Sequence, residues 1–134
     1  MANTTFSGPV RSENGFEQVT KNATTGAFTT SATYDATIIG GVQGLTGAGA
    51  VDLTNLITEL TTTAADALTL ADGTTSGQVK IVNMIVDGGD GTLTPVTFAN
   101  GTTITFDAVA ESATLVWNST IGWVATSVQG ATIA

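Results

Sequence analysis

The chain has 134 residues, enough for one domain with an arm or tail. Only 10 % are charged and 28 are threonine, so the polar surface must be mostly neutral and the backbone bias is toward strand. A net charge of −8 argues against nucleic-acid and anionic-membrane partners, and the absence of cysteine and histidine removes disulfides, Ser-His or Cys-His catalytic pairs and the usual zinc or copper ligands.

Residues 1–16 predict an extended arm. Ser7-Gly8-Pro9 disfavours helix at the residue before proline, and Asn14-Gly15 is a turn signal. The opening MANTTFSG has neither the basic nor the apolar region of a Sec-type signal. Charge divides unevenly along the chain. Residues 1–21 balance Arg11 and Lys21 against Glu13 and Glu17, whereas residues 22–134 set Lys80 alone against nine carboxylates. The leading segment is therefore the part of the chain without net negative charge.

Residues 17–39 predict N-terminal strands, because Phe28, Thr30, Ala32, Tyr34, Ala36 and Ile38 alternate with Thr29, Ser31, Thr33, Asp35 and Thr37. Residues 40–50, glycine-rich around GGVQGLTGAG, predict a flexible linker to a C-terminal β-sandwich module over 51–134. Val51 to Thr63 mixes helical spacing with poor helix formers, and a strand with an irregularity near Asn55 fits it best.

Strands are predicted at 67–71, 78–86, 92–99, 102–108, 113–118 and 123–128, separated by the turn signals Asp72-Gly73, DGGDG at 87–91, Asn100-Gly101, 110–112 and 119–122. Such short links predict antiparallel hairpins, so the expected fold is all-β, an antiparallel meander or sandwich. QVKIVNMIV is apolar on both parities apart from Lys80 and Asn83, which predicts a central or covered strand. Ile81, Ile85, Phe106, Trp117 and Trp123 are the expected core or oligomer-interface residues. No fixed repeat period is visible, which speaks against a solenoid.

No catalytic constellation emerges, and the expected class is non-enzymatic with no cofactor. The acids fall mostly at turns, where they cap backbone N–H groups. Asp87 and Asp90, in a loop resembling one calcium β-roll repeat, would be the ligands of a calcium ion, but Leu93 stands where that motif needs an aspartate, and no metal site is expected. Trp117, Trp123 and Tyr34 would serve a sugar-stacking platform if exposed.

TTFSGPVRSENGFEQV followed by TTGAFTTSA resembles the N-terminus of small virion structural proteins of tailed bacteriophages, particularly those of marine and cyanobacterial hosts. The LADGT-x-x-GQ opening, the TLTP-x-x-F-A-x-GTTITF stretch and the final TLVW…W-V pair are similar to a β-rich module of phage head-decoration proteins and fibres. The resemblance covers most of the chain and brings no catalytic motif. It implies a capsid decoration, or cement, protein on the virion surface, made in the host cytoplasm, binding the major capsid protein and itself as a homotrimer. A fibre or adhesin contacting host glycan is the alternative it leaves open. On the decoration reading, residues 1–16 form the capsid-binding arm, with Phe6 and Phe16 as apolar anchors, Pro9 limiting the entropy lost on ordering and Arg11 pairing with a capsid carboxylate.

Overall fold

A computed structural model describes residues 16–34 and 41–134. The chain divides into two compact units, residues 1–39 and 40–134. Every described regular element is a strand, so the fold is all-β. Of the predicted arm, only Phe16 falls among the described residues, and there it opens a strand; Phe6, Pro9 and Arg11 lie outside them.

In the first unit β1 (Phe16–Lys21) and β2 (Phe28–Tyr34) form an antiparallel hairpin. Its turn is built by Asn22, whose side-chain oxygen accepts the N–H groups of Thr24 and Thr25 while its carbonyl accepts that of Gly26. Gly26 has φ +72°, a conformation that glycine adopts without a Cβ penalty. The strand alternation predicted from Phe28 onward is described as far as Tyr34.

The second unit holds two five-stranded sheets. The first runs β11-β10-β7-β5-β3, the second β12-β9-β8-β6-β4. The strands are β3 (Val42–Thr46), β4 (Gly49–Val51), β5 (Ile57–Thr61), β6 (Asp66–Leu70), β7 (Val79–Val86), β8 (Gly91–Pro95), β9 (Ile104–Phe106), β10 (Ser112–Asn118), β11 (Gly122–Gln129) and β12 (Thr132–Ile133).

From β3 to β8 the chain passes alternately between the sheets, and each strand pairs parallel with the strand two elements later. β3-β4, β5-β6 and β7-β8 are three stacked turns of a short two-sided coil. Parallel neighbours require a crossover, and here the crossover is a strand of the opposite sheet. The ladder continues around the corners: Gly47 donates to the Thr61 carbonyl, Thr62 to that of Val86, and Asp66 to that of Asp90. Beyond β8 the chain closes with antiparallel pairs, β8–β9, β10–β11, β10–β7 and β9–β12.

Three expectations change. The antiparallel meander holds for the closing strands but not for β3 to β8. The coil has no constant period, since Val42 to Ile57 spans 15 residues and Ile57 to Ile81 spans 24, so a fixed-period search passes over it. The stretch 40–50 is no linker: it supplies β3 and β4, and its Leu45 and Val51 join the core. The irregularity expected near Asn55 is the corner 52–56 between β4 and β5.

The core lies between the sheets. Leu60, Val82, Met84, Ala113 and Leu115 come from one, and Val51, Leu68, Leu70, Leu93, Ile104 and Phe106 from the other. Trp117 and Trp123 face each other across the β10–β11 hairpin, centroids 5.4 Å apart and edge-on, and both are buried. The Trp123 indole N–H donates to the Ala71 carbonyl at 2.9 Å, satisfying its one polar atom. Gly73 packs directly against the Trp117 ring, where any Cβ would collide.

Candidate functional site

Lys80 is the only basic residue after position 21, and it is inside the protein, 1 % exposed. It sits on the inward face of β7 beside Val82 and Met84. Its Nζ donates to the Asn55 carbonyl at 2.8 Å and lies 3.6 Å from Asp52 Oδ1. Asp52, whose side chain is 33 % exposed, accepts three hydrogen bonds, from the N–H groups of Thr54 and Asn55 and from the Asn55 side-chain amide at 2.6 Å, and pairs with the Lys80 charge. Gln43 reaches the same corner from β3, accepting from Asp52 N–H and from the Thr58 hydroxyl and donating to the Ala50 carbonyl. Gln78 donates to the Leu53 carbonyl.

This cluster pins the corner that joins the first turn of the coil to the second. Burial pushes the Lys80 ammonium below its ordinary pKa, and Asp52 opposes that shift only in part. Burial pushes the Asp52 carboxyl up, but the backbone and side-chain hydrogen bonds of Asn55, the Lys80 charge and the Thr54 N–H outweigh it, so the net shift is down. The cluster satisfies a buried charge, and its consequence is external. With Lys80 withdrawn, residues 40–134 offer no cation to the surface, while Glu59, Asp72, Asp87, Asp90 and Asp107 are all exposed.

The five residues expected in core or interface divide. Phe106, Trp117 and Trp123 are core, Phe106 and Trp123 fully buried. Ile81 lies half-buried on the outer face of β7, in register with Ile57 and Val42 on one side and Thr114 on the other. Ile85 is exposed near the end of β7, next to exposed Val86. Val79, Val116 and Val124 form a second apolar row across the same face. QVKIVNMIV is thus central in its sheet with one face in the core and the other turned outward. Burial of both tryptophans removes them from any sugar-stacking platform.

Asp87 closes its own turn by accepting the Gly89 N–H, and the Asp90 carbonyl accepts from Asp66. Asp66, buried, caps the Thr63 N–H. Two further acids serve similar local ends: Glu111 accepts from Asp107 N–H, and Asp72 from the Thr97 hydroxyl. Among the described residues no three His, Cys, Asp or Glu side chains converge as metal ligands, and no helix is long and apolar enough to cross a membrane.

The hairpin contrasts with this neutral and acidic exterior. Residues 20–29 are exposed, Phe28 is 66 % exposed, and Lys21 Nζ lies 5.7 Å from the centroid of the Phe28 ring. An exposed cation over an exposed ring offers both attractions a protein partner could use. Sequence reasoning passed over this pair because Lys21 and Phe28 are brought together only by the Asn22 turn. The signal was the register that the NATTGA turn imposes.

No protein-family model matches the chain, and no curated protein matches it.

Proposed function

We propose that the protein is a non-catalytic capsid decoration protein of a tailed phage. On this reading it is made in the host cytoplasm and ends on the virion surface, where it binds the outside of the head lattice and stabilises it. The N-terminal segment grips the major capsid protein.

One observation carries the reading: the separation of charge. The module keeps its only cation inside, so its surface is anionic or neutral. Arg11 and Lys21, the chain's other two basic residues, both precede it. Attraction to an acidic or mixed capsid surface must therefore come from the leading segment, where Phe6, Pro9, Arg11 and Phe16 supply apolar and cationic groups. A surface rich in threonine hydroxyls stays hydrated without strong fields, which suits many copies crowded on one shell. The resemblance of the leading motif to phage virion proteins points the same way.

The test is deletion of residues 1–16. Heads lacking decoration, mixed with the full chain, should fill their sites. The deletion variant should leave them empty while its module melts at the same temperature. Full occupancy by the deletion variant would refute the role given to the arm.

A further inference from the structure

Among the described residues the β1–β2 hairpin is a sheet of two strands. Two strands alone are marginal in water, and three or more are needed for independent stability. Its two edges differ. In the register, Gln18 faces Ala32 but Val19 faces Thr30, so Ser31 is an extra residue in β2. A bulge of this kind bends its strand and blunts that edge against further pairing. β1 carries no insertion from Phe16 to Lys21, and among the described residues no strand other than β2 pairs with it.

The sequence of that edge, FEQVTK, is self-complementary. Laid antiparallel against a copy of itself about a two-fold axis at Val19, it sets Gln18 opposite Thr20 of the partner subunit. The same register sets Glu17 opposite Lys21 of the partner subunit, twice by symmetry. No other centre along β1 does this: a two-fold at Glu17 or at Lys21 opposes like charges, and no remaining register sets Glu17 opposite Lys21. A lysine on an edge ordinarily repels further strands, but here the glutamate four residues earlier makes one register favourable and so selects the chain's own copy. Lys21 is exposed and braced over Phe28, which leaves it available.

We propose that two copies of the protein join through β1, forming a four-stranded antiparallel sheet in the order β2-β1-β1-β2 with Glu17 and Lys21 paired across the two-fold axis. The contact is isologous and closed. It yields dimers, in place of the trimer implied by the resemblance, and it stands whether or not the capsid reading holds.

Sedimentation equilibrium of the full chain at low salt tests it. The wild type should be dimeric. Glu17→Lys and Lys21→Glu, each alone, put like charges opposite one another and should raise the dissociation constant about tenfold or more. The double reversal Glu17→Lys/Lys21→Glu should restore the dimer. An equimolar mixture of the two single variants should form a heterodimer, because each supplies the charge its partner lacks; this outcome also separates pairing between copies from any effect within one chain. A wild-type monomer or trimer, single variants that dimerise like the wild type, or a double reversal that stays monomeric would overturn the proposal.

Discussion

The hairpin and the module are made from similar residues and reach opposite ends of what strands can do. The module stacks ten strands in two sheets, buries two tryptophans and a lysine between them, and turns its only cation inward. The hairpin has two strands, a turn whose residues are exposed, and a phenylalanine two-thirds in water under a lysine. Stability is concentrated where side chains are enclosed from both sides, whereas the hairpin leaves a ring and a cation in water, in the part of the chain to which the proposed function assigns adhesion.

The contrast predicts effects of graded size. Trp123→Ala empties the largest buried site and orphans the Ala71 carbonyl, so it should cost the module about 3–5 kcal/mol, read by chemical denaturation. The matching change in the hairpin, Phe28→Ala, removes a ring that is mostly in water and should leave the module's unfolding midpoint unchanged within about 0.5 kcal/mol. Equal losses from the two would erase the distinction.

The Lys80 corner sharpens the picture from inside the module. Asp52→Ala leaves a buried ammonium without its carboxylate and should cost about 3 kcal/mol. Lys80→Met keeps the buried volume, removes the charge and leaves a carboxylate that still has water and three other donors, so it should cost about 1 kcal/mol or less. If the lysine change proved the more damaging, the buried cation would have a role beyond pinning a corner.

A smaller effect is set by pH. Asp52 has its folded pKa below its unfolded value, so its stabilisation is present above about pH 4 and is lost as pH falls through the folded pKa. Denaturation midpoints should hold from neutral pH to about pH 5 and then decline, and Asp52→Asn should flatten part of that decline. Lys80 has the opposite consequence at the other end. Its folded pKa is lowered, so its contribution to stability rises with pH between the folded value and that of the unfolded chain.

The sequence made some of this legible and concealed the rest for identifiable reasons. Threonine, glycine and alternating apolar residues spelled an all-β fold, and 119–122 spelled the β10–β11 turn, which the structure caps with Asn118: its side chain accepts from Thr120 and Ile121, and Gly122 takes φ +92°. The parallel coil stayed hidden because a short turn such as Asp87 to Asp90 serves equally to reverse within one sheet or to cross to the other. Only long-range pairing separates the two, and its partners are spaced unevenly. GGVQGLTGAG suggested a linker because glycine usually means freedom. Here two of its glycines mean closeness: Gly41 abuts the Asn55 side chain and Gly49 packs against Leu45. Lys80 broke the apolar pattern of its strand, and burial beside Asp52 is a property of the folded corner that no local window displays.

The proposed function assigns folding of the module to residues 40–134 and attachment to what precedes them. The most direct measurement compares the full chain with the fragment 40–134, recording each one's melting curve and its occupancy on undecorated heads by quantitative imaging. The account predicts superimposable melting of the module and decoration by the full chain alone. A fragment that decorates heads as fully as the whole chain, or one that fails to fold without its leading segment, would contradict it.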